Sequence, residues 1–184
     1  MRIFRSEAEY DLGKSVVALG MFDGVHIGHQ ALIRRAREMA GELGAACVVR
    51  SFDRHPLSVL KPERAPKQLM SLEEKLEKLE KMGVDGVLVE EFTPEFAATD
   101  ALVFLENMVR RLHAAGIVAG FNYSFGAGGR GNAALIRAEA GRLGYACDIL
   151  EAVTEAGETV SSTLIRHLLE NGELARAEAL LKLR

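Results

Sequence analysis

Short apolar runs alternate with longer segments of helical periodicity along the chain, and this alternation limits the possible folds more than any other feature. Apolar runs typical of buried strands occupy residues 15–20, 46–49, 84–92, 117–120 and 145–150. Between them, apolar residues recur every three to four positions, as in 28–43, which Gly44 follows. Strands separated by helices form βαβ units, so the sequence predicts an α/β fold with a parallel sheet and helices on both faces.

Turn and capping residues mark the ends of several elements. Three prolines predict a loop over 56–68. Ser71 and Glu74 have the spacing of a capping box at the start of a helix. The remaining signals are Thr99 as the N-cap of the next helix, Ser162 and Thr163 at the start of a later helix that Gly172 ends, and a last helix over 173–182.

Composition excludes several classes of protein. The chain has 184 residues, 48% of them hydrophobic, and a net charge of −3. This length predicts one domain over 1–184, and the charge argues against a protein that binds nucleic acid by bulk attraction. The absence of a long apolar run or a signal peptide predicts no membrane partner. Cys47 and Cys147 fit small core residues in a reducing compartment, so we expect a cytoplasmic protein.

The segment after the first apolar run is suited to binding an anion. Ligands of parallel sheets bind beyond the carboxyl ends of the strands, and this segment, GMFDGVHIGHQ over 20–30, also opens a helix. A helix N-terminus offers unpaired N–H groups and the positive end of a dipole. Gly24 and Gly28 allow close backbone approach, and His26 and His29 can donate to phosphate oxygens. An ordinary turn with solvated histidines, or a zinc site, are the alternatives.

Three further segments contain candidate binding residues. The second apolar run leads into FDRHP over 52–56, for which a plain loop is the alternative. Five glycines within 120–131 predict a loop that curls around a ligand, where the aromatic residues suit stacking on a flat ring or simple core packing. In VSSTLIR over 160–166, two hydroxyl residues start a helix with Arg166 one turn in, which suits phosphate, or a plain cap beside a surface arginine.

Together these segments resemble the bacterial FAD synthetase, the FMN adenylyltransferase half of the bifunctional riboflavin kinase/FAD synthetase family. Residues 20–30 resemble its Gly-x-Phe-Asp-Gly-Val-His-x-Gly-His-Gln string, which contains the His-x-Gly-His signature of the nucleotidyltransferase superfamily. Residues 52–56 match four positions of Phe-Asp-Pro-His-Pro, with Arg54 in place of proline. GFNYSFG over 120–126 and VSSTLIR are similar to two further family motifs, and the resemblance covers roughly residues 14–180.

The resemblance implies a Rossmann-like nucleotidyltransferase fold and transfer of AMP from ATP to FMN, giving FAD and pyrophosphate. It implies Mg²⁺ bound through the ATP phosphates, with no dedicated protein ligands. His26, His29 and Arg166 are the implied catalytic residues. The implied phosphate-binding residues are Gly20, Phe22, Asp23, Gly24, Gly28, Ser162 and Thr163, and the implied flavin-side residues are Phe52, Asp53, His55, Pro56, Asn122, Phe125 and Arg130.

Two other functions stay open at this point. A sister adenylyltransferase would use another phosphate acceptor, such as nicotinamide mononucleotide or phosphopantetheine. A non-catalytic flavin or nucleotide-binding module would keep the fold without the reaction. The Pro-Thr-Ala-Asn signature of the family's flavokinase part does not occur in the sequence, so we expect that the riboflavin kinase domain is absent and that a separate riboflavin kinase supplies FMN.

Overall fold

The computed structural model describes residues 1–183, so Arg184, the last residue of the predicted domain, lies outside the described part. Six parallel strands form one sheet in the order β1-β4-β3-β2-β5-β8. These strands are β1 (Arg2–Phe4), β2 (Ser15–Leu19), β3 (Ala46–Phe52), β4 (Gly86–Glu90), β5 (Ala114–Gly120) and β8 (Ala146–Leu150). Two antiparallel ribbons pair β6 (Ser124–Phe125) with β7 (Gly131–Asn132) and β9 (Thr154–Glu155) with β10 (Glu158–Thr159).

Helices connect the strands and extend beyond the last one. They are α1 (Ile27–Leu43), α2 (Leu57–Leu60), α3 (Leu72–Lys81), α4 (Pro94–Ala97), α5 (Ala101–Arg111), α6 (Ala133–Leu143), α7 (Ser162–Glu170) and α8 (Leu174–Leu181). Gly44 ends α1 with φ 58°, and Ser71 and Glu74 form the predicted capping box of α3. No helix in residues 1–183 is both long and apolar enough to cross a membrane.

Alternate residues of the central strand face two separate cores. Val17 of β2 packs in a cluster with residues of α5 and α6, whereas Val16 and Ala18 pack with residues of α1 and α3. Helices therefore cover both faces of the sheet, and the predicted α/β architecture with a parallel sheet is confirmed.

Some boundaries differ from those predicted from sequence. The predicted loop over 56–68 contains α2 and a short 3₁₀ turn, and β1, a three-residue edge strand, was not predicted. The N-cap of α5 is Asp100 and not Thr99, because the Asp100 carboxylate accepts the N–H of Leu102 at 2.8 Å. By contrast, α7 begins at Ser162 as predicted, and its N-cap is Ser161, whose hydroxyl accepts the N–H of Leu164 at 3.1 Å.

The order of the strands decides where a ligand can bind. The chain builds β2, β3 and β4 outward in one direction and then returns to place β5 on the other side of β2. The carboxyl ends of β2 and β5 therefore flank a switch point of the topology, where connecting loops diverge and leave a crevice. The segments that follow β2 and β5 are 20–26 and 120–132, two of the four that the sequence singles out.

Candidate active site

A cavity of about 680 Å³ lies at the carboxyl ends of the strands. Segments that follow β2, β3, β5 and β8 line it, together with the N-terminus of α7. The structure therefore brings all four predicted segments to one place. The predicted site residues in its wall are Gly20, Asp23, His26, Gly28, His29, Phe52, His55, Pro56, Asn122, Phe125, Ser162, Thr163 and Arg166.

Four predicted residues lie outside this wall. Phe22 is fully buried in the core, and Arg130 is exposed on the surface. Gly24, with φ 90°, packs against the C-terminal helix, because a Cβ there would lie 2.9 Å from a methyl group of Leu181. Asp53 borders a small neighbouring pocket of about 10 Å³, and its carboxylate accepts from the adjacent Arg54 side chain at 3.2 Å.

The two histidines of the loop after β2 lie face to face at the start of α1. Their ring centroids are 3.7 Å apart with an interplanar angle of 16°. His26 is the N-cap of α1, and its Nδ1 accepts the N–H of His29 at 3.3 Å. Because Nδ1 is an acceptor, the proton of the neutral His26 ring is on Nε2. Nδ1 of His29 is buried and has no hydrogen-bond partner within the described residues.

Both imidazoles are neutral near pH 7. Burial lowers the pKa of His26 to about 4. Burial, followed by the nearby His26 and Lys75, holds the pKa of His29 well below its usual value of 6.5. Each neutral ring has one N–H donor, so these groups can bind phosphate by hydrogen bonding without adding charge.

The positive charge in the wall comes from Arg166 on α7. Its side chain is 16% exposed, its Nε donates to the carbonyl of Lys67 at 2.6 Å, and one Nη donates to the carboxylate of Asp23. The hydroxyl of Ser162 donates to the Asp23 carbonyl at 2.9 Å, so α7 is fixed to the loop after β2. Nη1 of Arg166 makes no hydrogen bond within the described residues, which leaves it available to a ligand.

Aromatic rings form another part of the wall. Phe52, at the end of β3, lies edge-to-face with Phe92 and Phe96, each with ring centroids 5.1 Å away. Phe96 contacts Phe104, which contacts Phe125 with centroids 5.0 Å apart. This aromatic wall is the surface that a flat apolar ring system requires.

Sequence reasoning did not place Phe92, Phe96 and Phe104 in the site. They belong to separate segments whose apolar residues look like ordinary core, and only the fold brings them together. It also missed Lys75, a buried residue of α3. One signal could have found it, since Lys75 falls on the apolar stripe of its helix, three residues after Leu72 and four before Leu79.

Residues 1–183 contain no cluster of three or more His, Cys, Asp or Glu side chains arranged to hold a metal ion. Among the carboxylates near the cavity, Asp23 binds Arg166 and the N–H of Leu69, Asp53 binds Arg54 through one oxygen only, and Glu151 lines the wall. With fewer than three such side chains grouped together, a metal ion at this site would take most of its ligands from a bound substrate or from water.

The fold and the site define an α/β protein of the nucleotidyltransferase-like fold class. The crystal structure of pantoate-beta-alanine ligase from Francisella tularensis has this fold, with a TM-score of 0.58 over 96% of this chain and 79% of that one, at 14% identity. A Streptococcus pneumoniae structure, described as a macrolide-efflux protein, has a TM-score of 0.87 at 29% identity and covers 97% of this chain and 59% of that one.

Sequence comparison narrows the class to one family. The family model of FAD synthetase matches residues 8–164, and the chain belongs to the FAD synthetase family. A bifunctional riboflavin kinase/FMN adenylyltransferase of Listeria monocytogenes is 42% identical over 93% of this chain and 54% of its own length. The Bacillus subtilis protein of the same name is 36% identical over 91% of this chain and 53% of its own length. The chain thus spans about half the length of these two relatives.

A third relative has nearly the same length as this chain. It is a protein of Geobacillus thermodenitrificans to which the same two activities are assigned provisionally. It is 32% identical over 182 residues, which are 98% of this chain and 97% of that protein.

Proposed function

We propose that this chain transfers the adenylyl group of ATP to FMN, giving FAD and pyrophosphate. The observation that supports this proposal best is one cavity that combines phosphate-binding groups with an aromatic wall. Its volume of about 680 Å³ lies within the usual range for small-molecule sites, about 300–1,000 Å³. His26, His29 and Arg166 suit the phosphates, and the aromatic wall suits the flavin ring.

The reaction needs little from the protein beyond position and charge. The FMN phosphate is already anionic, so one of its oxygens attacks the α-phosphorus of ATP without a general base. A new P–O bond forms in line as the bond from the α-phosphorus to the bridging oxygen breaks, and pyrophosphate leaves. Catalysis then consists of alignment and stabilisation of the charge that develops on the phosphate oxygens.

Two helix N-termini would contribute to this stabilisation. His26 and His29 at the start of α1 would hold the triphosphate together with the free N–H groups of the first turn. Arg166, with Ser162 and Thr163 at the start of α7, would hold the leaving phosphates. Arg166 is suited to this because its planar fork keeps Nη1 available while its other nitrogens are fixed by protein oxygens.

Mg²⁺ would reach the site on the ATP phosphates. Magnesium keeps most of its water and binds through substrate phosphates and few carboxylates, which fits a wall where the Asp23 carboxylate is paired with Arg166. When bound, the ion would reduce the negative charge of the leaving pyrophosphate. We further propose that the chain acts in the cytoplasm on FMN that a riboflavin kinase supplies. In support, the Listeria and Bacillus relatives are named for both activities.

A parallel assay of acceptors tests the proposal. The purified chain is incubated with ATP and Mg²⁺ and with FMN, nicotinamide mononucleotide or phosphopantetheine in separate reactions. We expect FAD and pyrophosphate in equal amounts from the FMN reaction and no adenylylated product from the others. Faster turnover of another acceptor would identify a sister adenylyltransferase. Binding of FMN and ATP without turnover would identify a non-catalytic module.

A further inference from the structure

A buried ammonium group lies beneath the cavity without lining it. Lys75 of α3 is 5% exposed, and its Nζ donates to the carbonyl of Met21 at 2.9 Å, the carbonyl of Phe52 at 3.1 Å and the hydroxyl of Ser51 at 3.3 Å. We propose that Lys75 is a positioning residue for adenylyl transfer, which fixes the loop over 20–26 to the end of β3. This inference rests on the proposed function.

The three hydrogen bonds of Lys75 connect two parts of the cavity wall. Met21 and Phe52 both line the cavity, the first in the loop that leads to the paired histidines and the second in the aromatic wall. An ammonium group has three N–H donors, and all three have an acceptor here. Ser51 closes the arrangement, since its hydroxyl also donates to the Met21 carbonyl at 2.9 Å. Lys75 therefore sets the spacing between the loop that would hold the ATP phosphates and the aromatic wall that would hold FMN.

The loop over 20–26 is held by its carbonyl groups. Every carbonyl from 21 to 25 accepts a hydrogen bond from the protein. The donors are Lys75 and Ser51 to Met21, the N–H of Val25 to Phe22, Ser162 to Asp23, Lys78 to Gly24, and Gln30 to Val25. By contrast, the N–H groups over 21–24 have no acceptor within the described residues. Because the protein binds the carbonyl groups of this loop, the N–H groups stay available to a bound anion.

The backbone of the loop is strained, so it depends on such contacts. Phe22 and Val25 have φ values of 52° and 45°, in the left-handed region that is unusual for any residue with a side chain and rarest for a β-branched one. Such strained conformations persist only where contacts with surrounding groups hold the backbone in place. Lys75 supplies one such constraint at Met21, directly before the strained stretch.

The burial of the lysine favours a positioning role over simple stabilisation. Burial lowers the pKa of Lys75, with Asp23 and Asp53 acting in the opposite direction. Burying an ammonium group is costly, and an apolar side chain of similar volume is often as stable in such a place. A methionine would fill the space without this cost, but it could not donate hydrogen bonds to the oxygens of Met21, Ser51 and Phe52.

Replacement of Lys75 by methionine tests the inference. Small displacements of reacting groups lower rates strongly, so we expect Lys75→Met to lower kcat at least tenfold while KM for ATP and for FMN each stay within threefold of wild type. Lys81→Met, an exposed lysine on the same helix, is the matched control and should keep wild-type kinetics. Ile136→Val, a buried change outside the cavity wall, controls for a general loss of stability.

Two kinetic results for Lys75→Met would overturn the positioning role. One is a kcat within threefold of wild type. The other is a loss that lies wholly in KM for ATP, because it would indicate a charge that merely attracts nucleotide. If Lys75→Met does not fold, Lys75→Arg takes its place. Its longer planar group cannot place three donors at one point, so a wild-type kcat for Lys75→Arg overturns the proposal. A wild-type chain that forms no FAD would instead reject the proposed function.

Discussion

The paired histidines and Arg166 have different roles in the site, since the histidines are neutral hydrogen-bond donors and Arg166 is charged. Two imidazolium rings would repel each other at the 3.7 Å separation of His26 and His29, and burial keeps both rings neutral. The fixed positive charge in the wall at this point belongs to Arg166, part of which Asp23 already neutralises. We therefore expect the histidines to act as oriented donors and Arg166 to act as the charge.

Truncation of these side chains should lower turnover. Loss of one preorganised donor costs on the order of 10²- to 10³-fold, so we expect His29→Ala and Arg166→Ala each to lower kcat by about that factor. Arg166→Lys should not restore full activity, because lysine lacks the planar fork. Steady-state FAD formation measures the effect, and His167→Ala, an exposed neighbour on α7, is the control. Activity within about threefold of wild type, or about 0.7 kcal/mol in barrier, would contradict the proposed role of His29 and Arg166 in holding the phosphates.

Arg166 also has a structural role that the sequence does not reveal. A surface arginine could be removed at little cost, but this one pairs with the Asp23 carboxylate, whose side chain is only 7% exposed. Removing one partner of a buried pair costs about 3 kcal/mol, so Arg166→Ala should lower the free energy of unfolding by about that amount. The double variant Arg166→Ala/Asp23→Asn should recover part of this loss in urea denaturation. If the double variant is less stable than Arg166→Ala, the pair is not the cause.

The low pKa of His26 predicts a pH-dependent stability. Unfolding raises the pKa from about 4 to about 6.5, so the unfolded chain takes up a proton that the folded protein does not. Stability is therefore lost as the pH falls from about 6.5 toward 4, by about 2 kcal/mol between pH 7 and pH 5. His26→Asn keeps a good N-cap and cannot titrate. Urea denaturation should show a loss smaller by about 2 kcal/mol in this variant, and equal losses would contradict the assignment.

At the scale of elements, a glycine turn fixes the loop after β5 against α5. Gly126 has φ +71°, and a Cβ there would lie 2.7 Å from the Cα of Ala101. Gly128 has a similar φ of +66°, but a Cβ at that position would have no neighbouring atom within 4 Å. The two glycines thus share the same backbone requirement and differ in the contact with the helix. Close approach of the loop to α5 is what places Phe125 beside Phe104 in the aromatic wall.

Alanine substitutions at Gly126 and Gly128 therefore form a matched pair. Alanine in the left-handed region costs about 1–2 kcal/mol at either position. Gly126→Ala adds a collision with helix backbone, so we expect it to be less stable than Gly128→Ala by a further 1–3 kcal/mol or so, as for other overpacked sites. Denaturant midpoints measure the difference. Equal stability of the two variants would show that the loop moves freely away from α5.

Periodicity and capping residues were enough to predict most elements, because each long helix and each central strand has a local signal. The three-residue β1 was missed because two of its residues are exposed, so it shows no apolar run. The extension of β3 to Phe52 was missed because Arg50 and Ser51 are polar, and only the fold shows Arg50 paired with Glu90 at 2.7 Å. Likewise, the aromatic wall and Lys75 depend on contacts between distant segments, which local patterns cannot show.

At the scale of the molecule, the site offers neutral histidine donors and one arginine to phosphates, and residues 1–183 contain no group of three or more side chains arranged to hold a metal. If Mg²⁺ arrives with ATP, the protein without nucleotide should bind it weakly. We expect EDTA to abolish FAD formation and added Mg²⁺ to restore it, with no metal at stoichiometric level in the purified protein by elemental analysis. Tight zinc that is lost together with activity in the His26 and His29 variants would contradict this.

The chemistry of the cavity also predicts which flavin the chain accepts. FMN brings its own anionic nucleophile, whereas phosphorylation of riboflavin requires a hydroxyl group to lose a proton and attack the terminal phosphorus of ATP. The family match of this chain, over residues 8–164, is to FAD synthetase. We therefore expect FAD from FMN and ATP, and neither FMN nor FAD from riboflavin and ATP, when products are separated by chromatography. Adding a separate riboflavin kinase to the riboflavin reaction should restore FAD. An FMN peak from the homogeneous chain alone would show that this cavity, or another site in the chain, also phosphorylates riboflavin.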